Sequence, residues 1–417
     1  MGLWKPDGRA MSVTAADFKN DGKLELLSTN DAMENYYFEL NSKGVYEEKA
    51  IEMNIAYSEN GQGVAHMGPV VGDIDRDGFL DVFIPDLNYC SLLMQRRDGK
   101  GFEYRTNKAG LAVTMGQYAG WAAMMFDYDL DGWLDIFTVH GNAHHEYAQE
   151  NTIVRNRGNG TFEDVSDTAG PHFKEKHVGR GGTGIDFNND GKMDLVIVNV
   201  NDNAILLRND TRTKNHWITV RPRLKFSTGT RDAYGARVTV KANGLTMIED
   251  MIPTRGYLSA QDPRLNFGLG KADHADAIEI RWPGGAVETH TNVKADQFVT
   301  YTHEATATKV GAAKVQNCLL YTSRDAVAPS GVRGIGRSHA GRGGEPGERG
   351  SAAQLAFLQG TDEAGRGAVC DAVGAGRGRD SGFDAAGAGR GHVRDLPVRS
   401  ADEPECEIVW RRATAID

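Results

Sequence analysis

Along the first 210 residues, apolar positions come in short bursts, each followed by a knot of carboxylates, and no stretch shows the 3.6-residue spacing of a helix. The clearest unit reads AAMMF (122–126), DYDLDGWLD (127–135), IFTVH (136–140), NTIVRN (151–156), the turn RGNG (157–160) and TFEDVS (161–166). Short β-branched and aromatic runs separated by Gly-containing turns predict antiparallel strands joined by hairpins. The acidic nonapeptide recurs as DFKNDGKLE (17–25), DIDRDGFLD (73–81) and DFNNDGKMD (186–194), so that successive copies start 56, 54 and 59 positions apart. One small sheet per repeat at such a period predicts the blades of a β-propeller over residues 9–210.

The pattern then changes twice. From 213 to 304 the chain stays rich in strands, as in HWITVRPRL, GARVTVKA and AIEIRWPGG, but carries no acidic loop, which predicts a second, small all-β domain. From 305 to 417 Gly, Arg and Ala dominate without helical or strand periodicity, so a disordered, low-complexity tail is expected. Within it CLLYTS (318–323) resembles a translated transposon-end adapter used in preparing sequencing libraries. The residues after Asn317 are therefore expected to be a chimeric or out-of-frame extension.

The acidic loops carry the chemistry. Carboxylates at positions 1, 3, 5 and 9, with a glycine at 6 that permits the sharp turn, let one short loop wrap oxygens around a hard cation. The ligand sets are Asp73, Asp75, Asp77 and Asp81 in the second loop and Asp127, Asp129, Asp131 and Asp135 in the third. In the fourth they are Asp186, Asn188, Asp190 and Asp194. Backbone carbonyls at position 7 would come from Phe79, Trp133 and Lys192. Calcium, which accepts six to eight oxygens in a flexible cage, fits better than magnesium. The first loop offers Asp17, Asp21 and Glu25 but places Lys19 at position 3, so it is expected to bind weakly or not at all unless Lys19 points outward. The last acid stands at position 9 and strands flank the loop, so the helix opening of an EF-hand is not implied.

The four loops hold fourteen acidic side chains, and the whole chain has a formal charge of −10. That balance disfavours nucleic acid, whose phosphates call for a basic surface, and favours cations. No apolar run is long enough to span a membrane, and the opening MGLWKPDGRA has neither the charged nor the apolar region of a secretory signal. Of four cysteines only Cys90 lies outside the tail, so no disulfide framework is expected.

Repeats of the form D-x-[DN]-x-D-G-x-x-D before an apolar strand resemble the FG-GAP or VCBS repeats of integrin-like propellers. IVRNRGNGTFEDVSDTAG is similar to bacterial relatives of cartilage acidic protein. NHWITVRPRL, DAYGARVTVKANG, GYLSAQDPRLNFGLG and ADAIEIRWPGGAVETHTNV resemble the ASPIC and UnbV domain. The resemblance implies a calcium-binding, usually exported propeller, extracellular or at the cell envelope, that serves adhesion or protein interaction without catalysis. Its partner would be an unknown protein or glycan. Such propellers commonly have more blades than the four acidic repeats here, so an N-terminally truncated fragment, any signal included, is expected.

Other residues leave alternatives open. His140, His144, His145 and Glu146 suit either a solvated polar loop or metal and acid–base chemistry, the latter making the chain an enzyme acting on glycans or secondary metabolites. Trp121 and Trp133, if exposed, would suit a carbohydrate-binding module. Asp262, Arg264, Arg281 and Trp282 form either a recognition site or the corners of the second domain, with Trp282 in its core.

Overall fold

The computed structural model describes residues 2–305, apart from 88, 145, 146 and 253, and residues 406–413. Residues 10–209 supply four antiparallel sheets whose main strands lie side by side in chain order, as in propeller blades, and a two-stranded ribbon of Gln149–Glu150 with Lys176–His177. Blade 1 comprises Ala10–Ala16, Glu25–Met33, Tyr36–Leu40 and Tyr46–Glu48, with Val64–Ala65 added beside its second strand. Blade 2 comprises Val70–Gly72, Asp81–Pro85, Cys90–Gln95 and Phe102–Tyr104. Blade 3 comprises Gly120–Phe126, Asp135–His140, Thr152–Asn156 and Phe162–Asp164. Blade 4 draws Gly179–Ile185, Asp194–Asn199 and Ile205–Asn209 from the repeat region and Trp410–Arg412 from the far end of the chain.

That last strand departs from the expected structureless tail. Its position follows from register: Leu40 pairs with Tyr46 in blade 1, Gln95 with Phe102 in blade 2, Asn156 with Phe162 in blade 3 and Asn209 with Trp410 in blade 4. Each fourth strand opens on an aromatic residue, and in blade 4 the indole of Trp410 is buried. Just before Trp410, Cys406–Glu407 pairs with Arg212–Thr213, while residues 306–405, CLLYTS included, and 414–417 lie outside the described residues.

Asp81–Pro85 and Asp135–His140 are buried at every position, because the blades cover one another face to face. One apolar cluster joins Phe18, Leu27 and Tyr37 of blade 1 to Val82, Leu93 and Phe102 of blade 2. A second joins Phe83 and Leu92 to Met125, Ile136 and Val154, and a third joins Phe137 and Ile153 to Leu195, Leu207 and Trp410. The core thus lies between successive blades rather than inside any one sheet.

Residues 216–304 form a β-sandwich. One layer is built on the long strand His216–Phe226, which pairs antiparallel with Gly229–Asp232 and Leu265–Gly270 and parallel with Gln297–Glu304. The other runs Leu245–Asp250, Arg237–Ala242, His274–Arg281 and Val287–Lys294, all antiparallel. Ile218, Val220 and Phe267 meet Val238, Val240 and Ile278 between the layers, and Trp282 closes this core. The core reading of Trp282 is therefore the one the fold adopts.

The sandwich meets the propeller through residues 254–260, which touch all four blades. Thr14 Oγ1 of blade 1 donates to the Thr254 carbonyl, the Gly256 amide to the carbonyl of Pro69 beside blade 2, the Gly182 amide of blade 4 to Ser259 Oγ, and Thr183 Oγ1 to Ala260 O at 2.7 Å. From blade 3, Trp121 packs on Tyr257 with ring centroids 5.1 Å apart. The approach is so close that a Cβ on Gly68 would stand 1.8 Å from the Tyr257 nitrogen. Among the described residues no helix is long and apolar enough to cross a membrane.

Candidate metal centres

The four acidic loops share one backbone. Position 4 is left-handed in each (Asn20 φ 56°, Arg76 58°, Leu130 62°, Asn189 58°), and the glycine at position 6 follows with φ between 80° and 89°. Two left-handed residues within three positions are costly outside glycine, so the loop must be held. The position-1 carboxylate does so by accepting the amides of positions 5 and 6. In the third loop Asp131 N reaches Asp127 Oδ1 at 3.1 Å and Gly132 N reaches Oδ2 at 2.7 Å, and Asp17, Asp73 and Asp186 repeat the pattern. The position-5 carboxylate accepts the amide of position 7, and the position-9 carboxylate that of position 2.

Two loops bring carboxylates together as a metal requires. In the second, ligand atoms of Asp73, Asp75 and Asp81 all lie within 4.8 Å of one another, as do those of Asp127, Asp129 and Asp135 in the third. Oxygens on opposite sides of one calcium stand up to about 5 Å apart, twice a bond of about 2.3–2.6 Å. These two clusters could hold a metal ion. The third is the more deeply buried: neither oxygen of Asp129 accepts a hydrogen bond, and its charge partner is Arg155, with Nη2 2.9 Å from Oδ2. Burial first, and then the neighbouring carboxylates, pushes Asp129 up to about 6 and holds Asp127 and Asp135 well above the carboxylate range. Asp73 is likewise pushed up to about 7 and Asp194 to about 7, in both cases chiefly by burial.

Position 5 is turned toward basic side chains. Asp77 Oδ2 receives Arg97 at 3.0 Å, Asp131 Oδ2 receives Arg155 at 2.9 Å, and Asp190 lies 3.5 Å from Lys192. In the fourth loop Asn188 donates to Asp190 at 3.0 Å.

The first loop is engaged differently. Lys19 does point away, to Glu39 at 3.1 Å. Instead Arg281 of the sandwich places Nη2 2.6 Å from Asp17 Oδ2, while Arg237 donates to the Asp17 carbonyl at 3.0 Å and to Asn20. Arg264 does the same for the fourth loop, donating to Asp186 O at 2.7 Å and to Asn189 Oδ1 at 2.6 Å. The third is met by Asn215, which donates to Asp129 O at 2.9 Å, and by the Gly270 amide, which donates to Leu130 O. Arg264 and Arg281, which the sequence left open between a recognition site and the corners of the second domain, thus clamp that domain onto the fourth and first acidic loops.

Comparison with known proteins agrees with these parts. Residues 17–84 and 127–197 match the FG-GAP-like repeat, and residues 226–308 match ASPIC and UnbV. The chain carries FG-GAP-like repeats and an ASPIC and UnbV domain. It is homologous to cartilage acidic protein 1, being 25% identical to the Xenopus tropicalis protein over 73% of this chain and 47% of that one. To the Homo sapiens protein it is 26% identical over 67% of this chain and 41% of that one. The chain thus spans about half the length of these curated relatives or less. Among solved structures, an Agrocybe aegerita lectin that recognises non-reducing terminal N-acetylglucosamine aligns with a TM-score of 0.33 at 19% identity, covering 47% of this chain and 48% of that one.

The remaining candidates take other roles in this FG-GAP and ASPIC architecture. His140 ends a blade 3 strand and is buried, bonded to Thr152 Oγ1 at 2.9 Å, so it belongs to no solvated loop. His144 is exposed, and His145 and Glu146 lie outside the described residues. Trp121 is only 8% exposed, its ring covered by the Arg180 guanidinium and its Nε1 donating to Gly141 O, which removes it as an exposed platform. Trp133 is half-buried, with Arg76 stacked 3.1 Å from its ring centroid.

His172, Glu175 and His177 also converge within 4.8 Å. Asn151 Oδ1 accepts the His140 amide, so Asn151 Nδ2 must donate to His172 Nε2 at 3.0 Å, and the proton of His172 is left on Nδ1 facing Glu175. A nitrogen that carries a proton is no ligand. Glu175 is instead engaged by His177 at 3.3 Å and by Arg412.

Proposed function

We propose that the chain is a calcium-stabilised propeller module that serves protein interaction or adhesion outside the cell or at its envelope, without catalysis. The observation that carries this reading is the buried Asp127–Asp129–Asp135 cluster, whose oxygens converge at the span of one calcium and whose one ion-pair partner among the described residues is Arg155, 2.9 Å from Asp129. Three buried carboxylates paired with a single guanidinium repel one another, and a divalent cation offsets both their repulsion and their lost hydration. Calcium would be held by Asp73, Asp75, Asp77 and Asp81 with the Phe79 carbonyl, and by Asp127, Asp129, Asp131 and Asp135 with that of Trp133. In the fourth loop it would be held by Asp186, Asn188, Asp190 and Asp194 with that of Lys192. We leave the first loop out of this set, since Arg281 Nη2 stands 2.6 Å from the Asp17 carboxylate at its first position.

FG-GAP-like repeats beside an ASPIC and UnbV domain support the interaction role, and the way the sandwich sits on the loops links cation binding to the shape of the surface presented. Thermal unfolding with EDTA and with calcium tests the stability claim. Each filled site at 100 times its Kd contributes about 2.7 kcal/mol, so EDTA lowers the Tm by several degrees and calcium, but not magnesium, restores it. A Tm indifferent to both would remove calcium from the account.

A further inference from the structure

Two asparagines that no motif singled out occupy equivalent places in blades 3 and 4, the last residue of each third strand. Asn156 bridges two acidic loops: its backbone amide donates to Asp135 Oδ1 of its own blade at 2.8 Å, and its side chain donates to the Ile74 carbonyl of the preceding loop at 2.9 Å. Asn209 repeats both bonds one blade further on, to Asp194 Oδ1 at 2.7 Å and to the Tyr128 carbonyl at 2.9 Å. Ile74 and Tyr128 stand at position 2 of their loops, where their own amides donate to Asp81 and Asp135 at position 9. The bonds join end to end into one line: Asp81, Ile74, Asn156, Asp135, Tyr128, Asn209, Asp194.

Every member of that line is buried, so none of its bonds competes with water. The line stops at blade 2. Gln95 holds the same place there, with its amide 2.9 Å from Asp81 Oδ1, but its longer side chain has no hydrogen-bond partner at either amide atom. The first loop is left to the arginines of the sandwich.

We infer that Asn156 and Asn209 couple calcium binding among the second, third and fourth loops, so that filling one raises the affinity of the next, while the first loop stands outside the relay. This rests on the calcium reading above and adds to it. A cation drawing in the position-9 carboxylate fixes both its oxygens, one of which holds the bridging asparagine and, through it, the backbone of the preceding loop. The asparagines are positioning residues, since neither is a cation ligand.

Calcium titration of the full chain by calorimetry tests this, with N156Q and N209Q as variants. Glutamine is the residue the protein itself accommodates at the equivalent position 95, so both variants are expected to fold. Wild-type protein is expected to bind with a Hill coefficient above 1. Each variant is expected to bind the same number of ions, with the coefficient falling toward 1 and the affinity dropping about fivefold or more. A coefficient unchanged by the substitutions, or non-cooperative binding in the wild type, overturns the relay, whereas no binding in the wild type overturns the calcium reading itself. A second measurement does not depend on those variants. D75N, at an exposed ligand of the second loop, is expected to weaken the remaining sites severalfold, while D21N in the first loop leaves them unchanged; equal behaviour of the two contradicts the relay.

Discussion

Two buried histidines, His66 and His140, are held neutral by burial. His66 accepts from Asn35 at Nδ1 and is 3.0 Å from Ser91 at Nε2, and burial pulls it down to about 3 even with Asp86 3.9 Å away. Burial brings His140 to about 3 as well. A depressed histidine contributes stability above its unfolded value near 6.5 that is lost as pH falls toward the folded value, because the unfolded chain takes the proton first. Between about pH 6.5 and 3 each costs about 1.4 kcal/mol per pH unit, so urea denaturation in saturating calcium is expected to show lower stability at pH 5 than at pH 7, and H66Q is expected to flatten the slope. At this level the acidic loops were legible because their spacing is local. The state of the first loop was not: Lys19 stood out, but the group that reaches Asp17 is Arg281, 264 residues away. Asn156 and Asn209 were hidden for a similar reason, although the recurring VRN and LRN that end their strands were there to be compared.

Among the strands, the blades were readable from short apolar runs and hairpin turns, since each pairs mostly with its chain neighbours. The fourth strand of blade 4 was not readable. Trp410 lies in the short run CEIVWRR at the far end of a tail dominated by Gly, Arg and Ala, and the register shared with Tyr46, Phe102 and Phe162 explains its place. Its indole packs on Phe126 with centroids 6.2 Å apart, inside the cluster that joins blades 3 and 4. Trp410→Ala is expected to cost about 3–5 kcal/mol in chemical denaturation, as for other large aromatic side chains removed from a core. A loss within about 0.5 kcal/mol, the range of surface substitutions, would show that blade 4 does not use this strand.

In the molecule as a whole, sequence reasoning separated two β domains but gave no view of how they meet. The contact is made of side chains and backbone far apart in sequence: Arg237, Arg264 and Arg281 reach the first and fourth loops, and residues 254–260 touch every blade. Two of the loops proposed to hold calcium, the third and the fourth, therefore also seat the ASPIC and UnbV domain, through the backbone carbonyls of Asp129, Leu130 and Asp186. The most direct test is the calcium content of the purified full chain, measured by equilibrium dialysis on wild type and on D75N, D129N, D190N and D21N. The account predicts ions at the second, third and fourth loops, one lost with each of the first three substitutions and none with D21N. A wild-type chain that retains no calcium, or a D129N chain that retains as much as wild type, contradicts it.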